Sequence, residues 1–229
     1  MRSKLISRII LFAIFNLLAL GLFSACDTAE TNYVTASLSF SSVANLNKGM
    51  DGTFQLDTVK ILLRDIKIKN QSANDGHPVK VGPFVVYLNL EGMTTDFAVG
   101  NIFAGTYDRV KFEIHKVGAA ETSPDPEFWE GNDSNLRYSV IVKGKYNSED
   151  FIYKSRKSAK QDLKLETPVE VGENEIANLT ITVDPYTWFY DDTTPLDPTN
   201  PDNESEIDKN IKESFKKCFR DDNRDGTAD

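Results

Sequence analysis

Apolar and polar residues alternate along most of the chain between residues 33 and 183. In the clearest stretch, Val110, Phe112 and Ile114 alternate with charged residues. A period of two places the apolar side chains on one face of a half-buried strand. About eight or nine such stretches, separated by turn signals and without a convincing helix between them, are typical of an all-β protein. We therefore predict a two-sheet antiparallel β-sandwich of the immunoglobulin-like or transthyretin-like type.

Two interruptions of this alternation predict local structure. The apolar phase slips by one residue at Arg64 and Asp65. Such a slip would turn the rest of the strand inside out unless one extra residue bulges from the ladder. The segment Asn147-Ser-Glu-Asp150 separates two alternating stretches, as a hairpin turn does. We therefore expect a bulge near Asp65 and an antiparallel hairpin around residues 147–150.

The end of the chain follows a different pattern. Residues 191–203 contain three prolines and no apolar period, which predicts an extended linker. Asn203 and Glu206 then have the spacing of a capping box, and apolar residues follow on one helical stripe as far as Arg220. The stripe consists of Ile207, Ile211, Phe215, Cys218 and Phe219. We predict one C-terminal α-helix that docks on the sandwich and buries Cys218.

The first 25 residues are typical of a secretory signal. Three positive charges precede an apolar stretch, residues 9–23, that is short for a helix spanning a bilayer. Removal of residues 1–25 leaves 204 residues and changes the formal net charge from −9 to −12. A chain this acidic is a poor candidate for nucleic acid, whose phosphates require clustered Lys and Arg. The predicted organisation is a tether at 26–32, a β-sandwich domain at 33–190, the linker at 191–203 and a helix with an acidic loop at 204–229.

The residues around Cys26 predict a lipid anchor. The sequence Leu22-Phe23-Ser24-Ala25-Cys26 resembles the lipobox of bacterial lipoproteins, with Phe23 where that family usually carries leucine. The resemblance implies that the Cys26 sulfur receives a diacylglycerol and that acyl chains hold the protein in a membrane. The alternative is an ordinary signal cleaved after Ala25, which leaves a free thiol. We predict a lipid-anchored protein of the bacterial cell envelope, on its periplasmic or cell-surface face.

The last nine residues, DDNRDGTAD, place oxygen donors at the spacing of a calcium loop of the EF-hand type. The candidate ligands, at loop positions one, three, five, seven and nine, are Asp221, Asn223, Asp225, Thr227 and Asp229. Gly226 falls at position six, where the loop turns sharply. The sequence ends before the bidentate glutamate of position twelve, and we expect the terminal carboxylate of Asp229 to supply a further oxygen. Such a loop suits a structural calcium bound at roughly 0.1–1 mM. The alternative is a solvated acidic tail that binds nothing specifically.

A second candidate site is a local excess of positive charge on the predicted hairpin. Four basic side chains would share one of its faces: Lys143, Lys145, Lys154 and Arg156. This face would suit an acidic glycan, a lipid head group or an acidic envelope protein. The alternative is that lysines near a sheet edge only prevent aggregation between edges.

The sequence offers little for catalysis. His77, in a loop, and His115, on a strand face expected to be exposed, have no nucleophile, acid pair or second metal ligand at a diagnostic spacing. We therefore predict that the protein is not an enzyme. The aromatic residues around Trp188 suit either a sugar-binding platform or, more commonly, a plug of the core.

Three segments resemble an uncharacterised β-sandwich domain of bacterial envelope lipoproteins. They are V-K-I-L-L-R-D-I-K-I (Val59–Ile68), G-P-F-V-V-Y-L-N-L (Gly82–Leu90) and A-G-T-Y-D-R-V-K-F (Ala104–Phe112), with Phe103 where a proline is usual. This resemblance implies a fold and a compartment, and no activity. A related pattern occurs in copper-associated periplasmic proteins that accompany methanobactin, so a copper role is an alternative, although none of their metal ligands is carried over to this chain. We expect a non-catalytic binding or structural protein.

Overall fold

The computed structural model describes residues 33–42, 52–70 and 76–229, and it confirms the predicted sandwich of β-sheets. The strands are β1 (Tyr33–Ser42), β2 (Phe54–Asn70), β3 (His77–Lys80), β4 (Phe84–Tyr87), β5 (Thr94–Phe103), β6 (Gly105–Ile114), β7 (Val140–Tyr146), β8 (Glu149–Ser155), β9 (Ala159–Val171), β10 (Ile176–Val183), β11 (Tyr190–Asp191), β12 (Thr194–Pro195) and β13 (Lys217–Arg220). The one α-helix in these ranges is α1 (Glu204–Glu213). The predicted signal segment, Cys26 and the tether lie outside the described residues.

The small sheet has the strand order β13-β10-β1-β5. β1 pairs with β5 in antiparallel orientation but with β10 in parallel orientation, from Thr35 opposite Ile176 to Ser42 opposite Val183. The other strand pairs of the described residues are antiparallel. The prediction of antiparallel sheets is therefore wrong at this one pair, because the alternation of apolar residues carries no information about strand direction.

The large sheet is built on β2, which is 17 residues long. Lys60 pairs with β4 on one side and β7 on the other, and Lys67 pairs in the same way with β3 and β6. β8 extends the sheet beyond β7, and β9 extends it beyond β6. The register shifts between Arg64 and Lys67, and Asp65 has a φ of 56°, so the predicted bulge is confirmed. The large sheet therefore has two halves that share β2.

The main core lies between the two sheets. Phe40 of the small sheet stacks on Phe97 with ring centroids 4.3 Å apart and meets Phe112 of the large sheet edge-on at 6.1 Å. Val110, Phe112 and Ile114 all face this core, as their alternation predicts. Burial of one such side chain stabilises the fold by about 1.5–3 kcal/mol.

The predicted hairpin around residues 147–150 is confirmed as the connection between β7 and β8. Asn147 and Ser148 both have positive φ, 49° and 71°. Two adjacent residues in this region form the type I′ turn that matches the twist of paired strands.

The predicted C-terminal helix is too long. α1 ends at Glu213, and residues 217–220 instead form β13, which pairs with β10 at the edge of the small sheet. A few residues of apolar pattern cannot distinguish the end of a helix from a short strand. Pairing decides between them, because it gives partners to backbone groups along β10. Cys218 is buried as predicted, but on this strand. No helix in the described ranges is both long and apolar enough to cross a bilayer.

The predicted extended linker, residues 191–203, is folded instead. It contains the β11–β12 hairpin and a short 3-10 turn. The side chains of Asp197 and Asn200 each accept the backbone N–H two residues further on, which tightens the chain into turns. Asn203 is already helical and donates its amide to the Asp197 carbonyl, so the predicted capping box does not form.

Candidate calcium loop and charged faces

The terminal loop folds around Asp221. Its Oδ1 accepts the N–H of Asp225 and its Oδ2 accepts the N–H of Gly226, both at 3.0 Å. Asn223 Oδ1 also lies 3.0 Å from the Asp225 nitrogen, and Asp225 Oδ1 accepts both the N–H and the hydroxyl of Thr227. Gly226 has a φ of 84°, as the predicted sharp turn requires. The side chains of residues 221, 223 and 225 therefore gather at one turn.

Asp221 is the buried member of this loop. The residue is 0% exposed, and within the described ranges no Lys, Arg or His forms an ion pair with its carboxylate. A buried charge is costly unless it is paired, and two N–H groups compensate only part of this cost. Each carboxylate oxygen also keeps a lone pair for another partner. The loop thus holds negative charge that the surrounding protein does not neutralise.

The loop lies on the outer face of the small sheet. Asn178 of β10 donates to the Asp221 carbonyl at 2.9 Å, and Arg224 donates to the Ser37 hydroxyl at 3.2 Å. Below it, four buried polar side chains hydrogen bond with one another: Ser37, Ser39, Asn178 and Thr180. A Cβ on Gly226 would come within 2.7 Å of the Ser41 hydroxyl, so only glycine permits this approach. The beginning of the loop is therefore docked on the sheet.

The other predicted ligands close the loop on itself. Asp229 Oδ2 accepts the N–H of Asp222 at 2.6 Å, and the Asp229 N–H donates to the Arg220 carbonyl at 3.1 Å. Within residues 33–42, 52–70 and 76–229, no three His, Cys, Asp or Glu side chains form a group that could hold a metal ion. The loop follows β13, whereas an EF-hand loop leaves a helix. The likeness to an EF-hand is therefore restricted to the loop.

The four basic residues predicted on the hairpin all have carboxylate partners. The pairs are Lys143–Glu127 at 2.9 Å, Lys145–Asp150 at 2.5 Å, Lys154–Glu130, and Arg156–Glu204 at 2.7 Å. The register of β7 and β8 places three of the four, Lys143, Lys145 and Lys154, on one face, whereas Arg156 follows the end of β8. A cavity of about 280 Å³ opens beside Lys154 and Arg156. The hairpin therefore brings the predicted cations together but neutralises each of them.

Residues 117–139 cover the outer face of the large sheet beside this hairpin. Fully buried Phe128 and Leu62 belong to a second, smaller core there. At its edge Lys60 donates to Asp125 at 2.7 Å, and the two side chains are only 9% and 12% exposed. Burial is the largest single influence and opposes a charge on either group. The hydrogen bond between the two groups, their mutual attraction and their hydrogen bonds with Tyr87 and Glu127 together outweigh it, so that the pKa of Lys60 is raised and the pKa of Asp125 is lowered.

The other half of the large sheet has an outer face that the sequence did not reveal as a unit. In the register of β2, β6 and β9, the side chains of Lys69, Arg109 and Lys164 stand in one row. The next two rows are Lys67, Lys111 and Asp162, then Arg64, Glu113 and Lys160. We call these nine residues the cationic face. Four of its members have no carboxylate partner in the described part of the chain: Lys67, Lys69, Lys160 and Lys164. The alternation along each strand predicts that these charged side chains point outward. Which of them lie side by side depends on the register between neighbouring strands, and the alternation does not give that register.

His115 is buried, so the prediction of an exposed ring is wrong. It is 5% exposed, with Nε2 at 2.6 Å from Glu121 and Nδ1 at 3.4 Å from Glu113. The chain that follows β6 folds back here, because Glu121 also accepts the N–H of Gly118 at 2.6 Å. His77, which was predicted in a loop, is instead the first residue of β3, because this segment pairs with β2, and its ring packs edge-on against Phe103.

Trp188 and Phe189 are fully buried, which makes them plugs of the core and leaves no platform for a sugar at this position. Burial also raises the pKa of the Cys218 thiol, as expected of an unreactive core cysteine.

No protein-family model, curated protein or solved structure matches this chain.

Proposed function

We propose that this chain is a lipid-anchored protein of the bacterial cell envelope, with a non-catalytic binding or structural role and a terminal loop that binds calcium. The composition of residues 1–25 and the position of Cys26 support the anchor. The resemblance of three segments to envelope lipoproteins supports the compartment. The geometry of residues 221–229 supports the calcium loop.

The observation that carries the calcium proposal is the buried Asp221 carboxylate without a basic partner. Calcium prefers six to eight oxygen ligands, several of them carboxylates. Asp221, Asn223 and Asp225 gather their side-chain oxygens at one turn, and Thr227 offers its carbonyl at the next ligand position. Hydrogen bonds from the hydroxyl and the N–H of Thr227 lower the pKa of Asp225, which keeps this ligand ionised. The bound ion would neutralise Asp221 and fasten the loop to the small sheet.

Calcium-dependent thermal unfolding tests this proposal. A site with a dissociation constant of about 0.1–1 mM gains about 1–2 kcal/mol of folding free energy in about 5 mM calcium. For a domain of this size that corresponds to a rise in melting temperature of about 2–8 °C. Asp225→Asn keeps an oxygen for the Thr227 hydrogen bonds but removes the ligand charge, so it should lose most of the rise. Asp222→Asn changes the charge equally one position outside the ligand pattern and should keep it.

The comparison of these two variants separates a site from general charge screening. Equal loss of the calcium effect in both variants, or an unchanged melt of the wild-type protein, would contradict the proposal. Magnesium should stabilise the loop less than calcium, because it requires strict octahedral geometry and gives up water reluctantly.

Metabolic labelling tests the anchor separately. Bacteria that express the full chain and are fed labelled palmitate should incorporate the label into this protein, and Cys26→Ser should abolish the incorporation. An unlabelled wild-type product in the cytosolic fraction would contradict the anchor without affecting the calcium loop.

A further inference from the structure

The cationic face concentrates positive charge on an acidic protein. The whole chain has a formal net charge of −9. Seven of the nine residues of this face are nevertheless basic, and only Glu113 and Asp162 are acidic. Asp162 contacts both Arg109 and Lys111, and Glu113 contacts Arg64, so these two carboxylates are already shared among the neighbouring cations. The face therefore keeps a surplus of cations after all its internal pairs are formed.

The row of Lys69, Arg109 and Lys164 is the most unusual part of this face. Like charges directly opposite one another on adjacent strands destabilise a sheet. Three adjacent strands nevertheless place a cation at the same level, and within the described ranges only Arg109 has a carboxylate partner. On the other half of the same sheet, Lys143, Lys145 and Lys154 each have one. The protein thus neutralises one basic region and leaves the other open to an external anion.

The shape of the face favours a polysaccharide as that anion. A groove of about 440 Å³ lies across the second and third rows, and Glu113, Gln161 and Asp162 line it together with the basic side chains. The carboxylate oxygens of Glu113 and Asp162, set among cations, suit sugar hydroxyls, which need hydrogen-bond acceptors. The exposed large apolar residues of the described chain all lie outside this face, so it offers neither a wedge for a membrane nor a stacking platform for single-stranded nucleic acid.

We propose that the cationic face binds an acidic polysaccharide, a chain of sugars that carries carboxylate or sulfate groups. The row of Lys69, Arg109 and Lys164 holds the anionic groups, and the groove beside it accepts hydroxyls. This surface shares no residue with the terminal loop, so the proposal goes beyond the calcium site and does not depend on it.

Two triple variants of equal charge change test the proposal on the full chain in mild detergent. The row variant combines Lys69→Gln, Arg109→Gln and Lys164→Gln. The hairpin variant combines Lys143→Gln, Lys145→Gln and Lys154→Gln. Binding of heparin and of polygalacturonate is measured by calorimetry at low ionic strength, where surface charges are least screened. The row variant should bind about tenfold or more weakly, whereas the hairpin variant should change binding by less than about threefold.

Every outcome decides for or against this surface. Equal losses in the two variants would show a general effect of net charge, and no binding of either polymer by the wild-type protein would exclude the polysaccharide. Preference for phosphatidylglycerol over phosphatidylcholine vesicles that the row variant abolishes, without polysaccharide binding, would assign the face to a membrane instead. If the row variant fails to fold, the single exposed substitution Lys164→Gln should still weaken polymer binding by about twofold to threefold.

Discussion

The outer faces of the two sheets carry opposite kinds of unpaired charge. The small sheet is covered by the chain's own acidic loop, in which the buried Asp221 carboxylate has no basic partner among the described residues. The cationic face of the large sheet is open, and Lys69 and Lys164 have no acidic partner there. Each face has a charge that the protein itself leaves unsatisfied. Both faces therefore point to a ligand of the opposite sign, calcium in one case and an acidic polymer in the other.

The hairpin of β7 and β8 shows why the number of charges alone is a poor guide. Its four basic residues formed the most prominent basic cluster in the sequence, yet each of them meets a carboxylate. Three of these carboxylates come from distant segments, Glu204 from α1 and Glu127 and Glu130 from residues 117–139, whereas Asp150 lies on β8 itself. Charges that are paired within the fold indicate stability, and charges that stay unpaired indicate a partner.

The largest expected effect on stability is at the buried ion pair between Lys60 and Asp125 on the large sheet. Asp125→Ala would leave the buried Lys60 ammonium without its closest acceptor, although Glu127 lies 3.4 Å away. Breaking a buried ion pair from one side should lower the free energy of unfolding by about 2–4 kcal/mol, measured by urea denaturation. The double variant Lys60→Met with Asp125→Ala should recover most of this loss, since it removes the unpaired charge as well. If Asp125→Ala is as stable as the wild type, the half of the large sheet that residues 117–139 cover does not depend on the Lys60–Asp125 ion pair.

The same region sets the response to acid. A hydrogen bond from Lys143 is the main cause that lowers the pKa of Glu127. Burial opposes ionisation of Asp125, but the bond and charge of Lys60, with further hydrogen bonds from Glu127 and Tyr87, together lower the pKa of Asp125. Carboxyls with lowered pKa values contribute stability above their unfolded pKa of about 4, and this contribution is lost as the pH falls through their folded values. Urea unfolding between about pH 5 and pH 2.5 should therefore show a smaller acid-induced loss for the double variant than for the wild type. If the free energy of unfolding depends on pH in the same way in the double variant and the wild type, the Lys60–Asp125 pair does not contribute to the acid response.

The next effect concerns the polar network under the terminal loop. Asn178 is 2% exposed, and its amide donates to Ser39, Thr180 and the Asp221 carbonyl. Asn178→Ala leaves buried partners unsatisfied and should cost about 2–3 kcal/mol by urea denaturation. The exposed Asn101→Ala on β5, which β1 separates from β10, should change stability by less than about 0.5 kcal/mol. An effect of Asn178→Ala as small as that of the control would mean that the loop is not held by this network.

The smallest effect is a gain in stability on the cationic face. The row variant removes like charges that lie directly opposite one another and only one exposed ion pair, Arg109–Asp162, whose carboxylate keeps Lys111 as a partner, so it should stabilise the protein by about 0.5–1 kcal/mol at low salt. At about 1 M salt, where the Debye length is only about 3 Å, the gain should disappear. The hairpin variant removes three attractive pairs instead and should not be stabilised at low salt. Destabilisation of both variants to the same extent would remove the contrast between the two halves of the sheet.

The fold was predictable where it depends on local alternation. The bulge at Asp65 and the turn at residues 147–150 follow from the phase of apolar residues along single strands, and both are confirmed. The parallel pairing of β1 with β10 was not predictable in this way, and neither was the strand at residues 217–220. Both depend on which distant segments become neighbours.

The candidate sites show the same difference between what local sequence predicts and what distant contacts decide. The spacing of Asp221, Asn223 and Asp225 predicted a loop in which these side chains gather, whereas the burial of Asp221 needed the contact with Asn178 of β10. His115 was expected to be exposed because its strand alternates, but the chain after β6 folds back and Glu121 covers the ring. Long-range contacts decide which charges are buried and which stay free.

Direct measurement of calcium binding tests the central claim most closely. Equilibrium dialysis of the full chain against radioactive calcium should give one ion per chain with a dissociation constant of about 0.1–1 mM, as for extracellular calcium modules. Asp225→Asn should lose this binding and Asp222→Asn should keep it. Absence of bound calcium on the wild-type protein at about 5 mM, or equal binding by both variants, would contradict the claim.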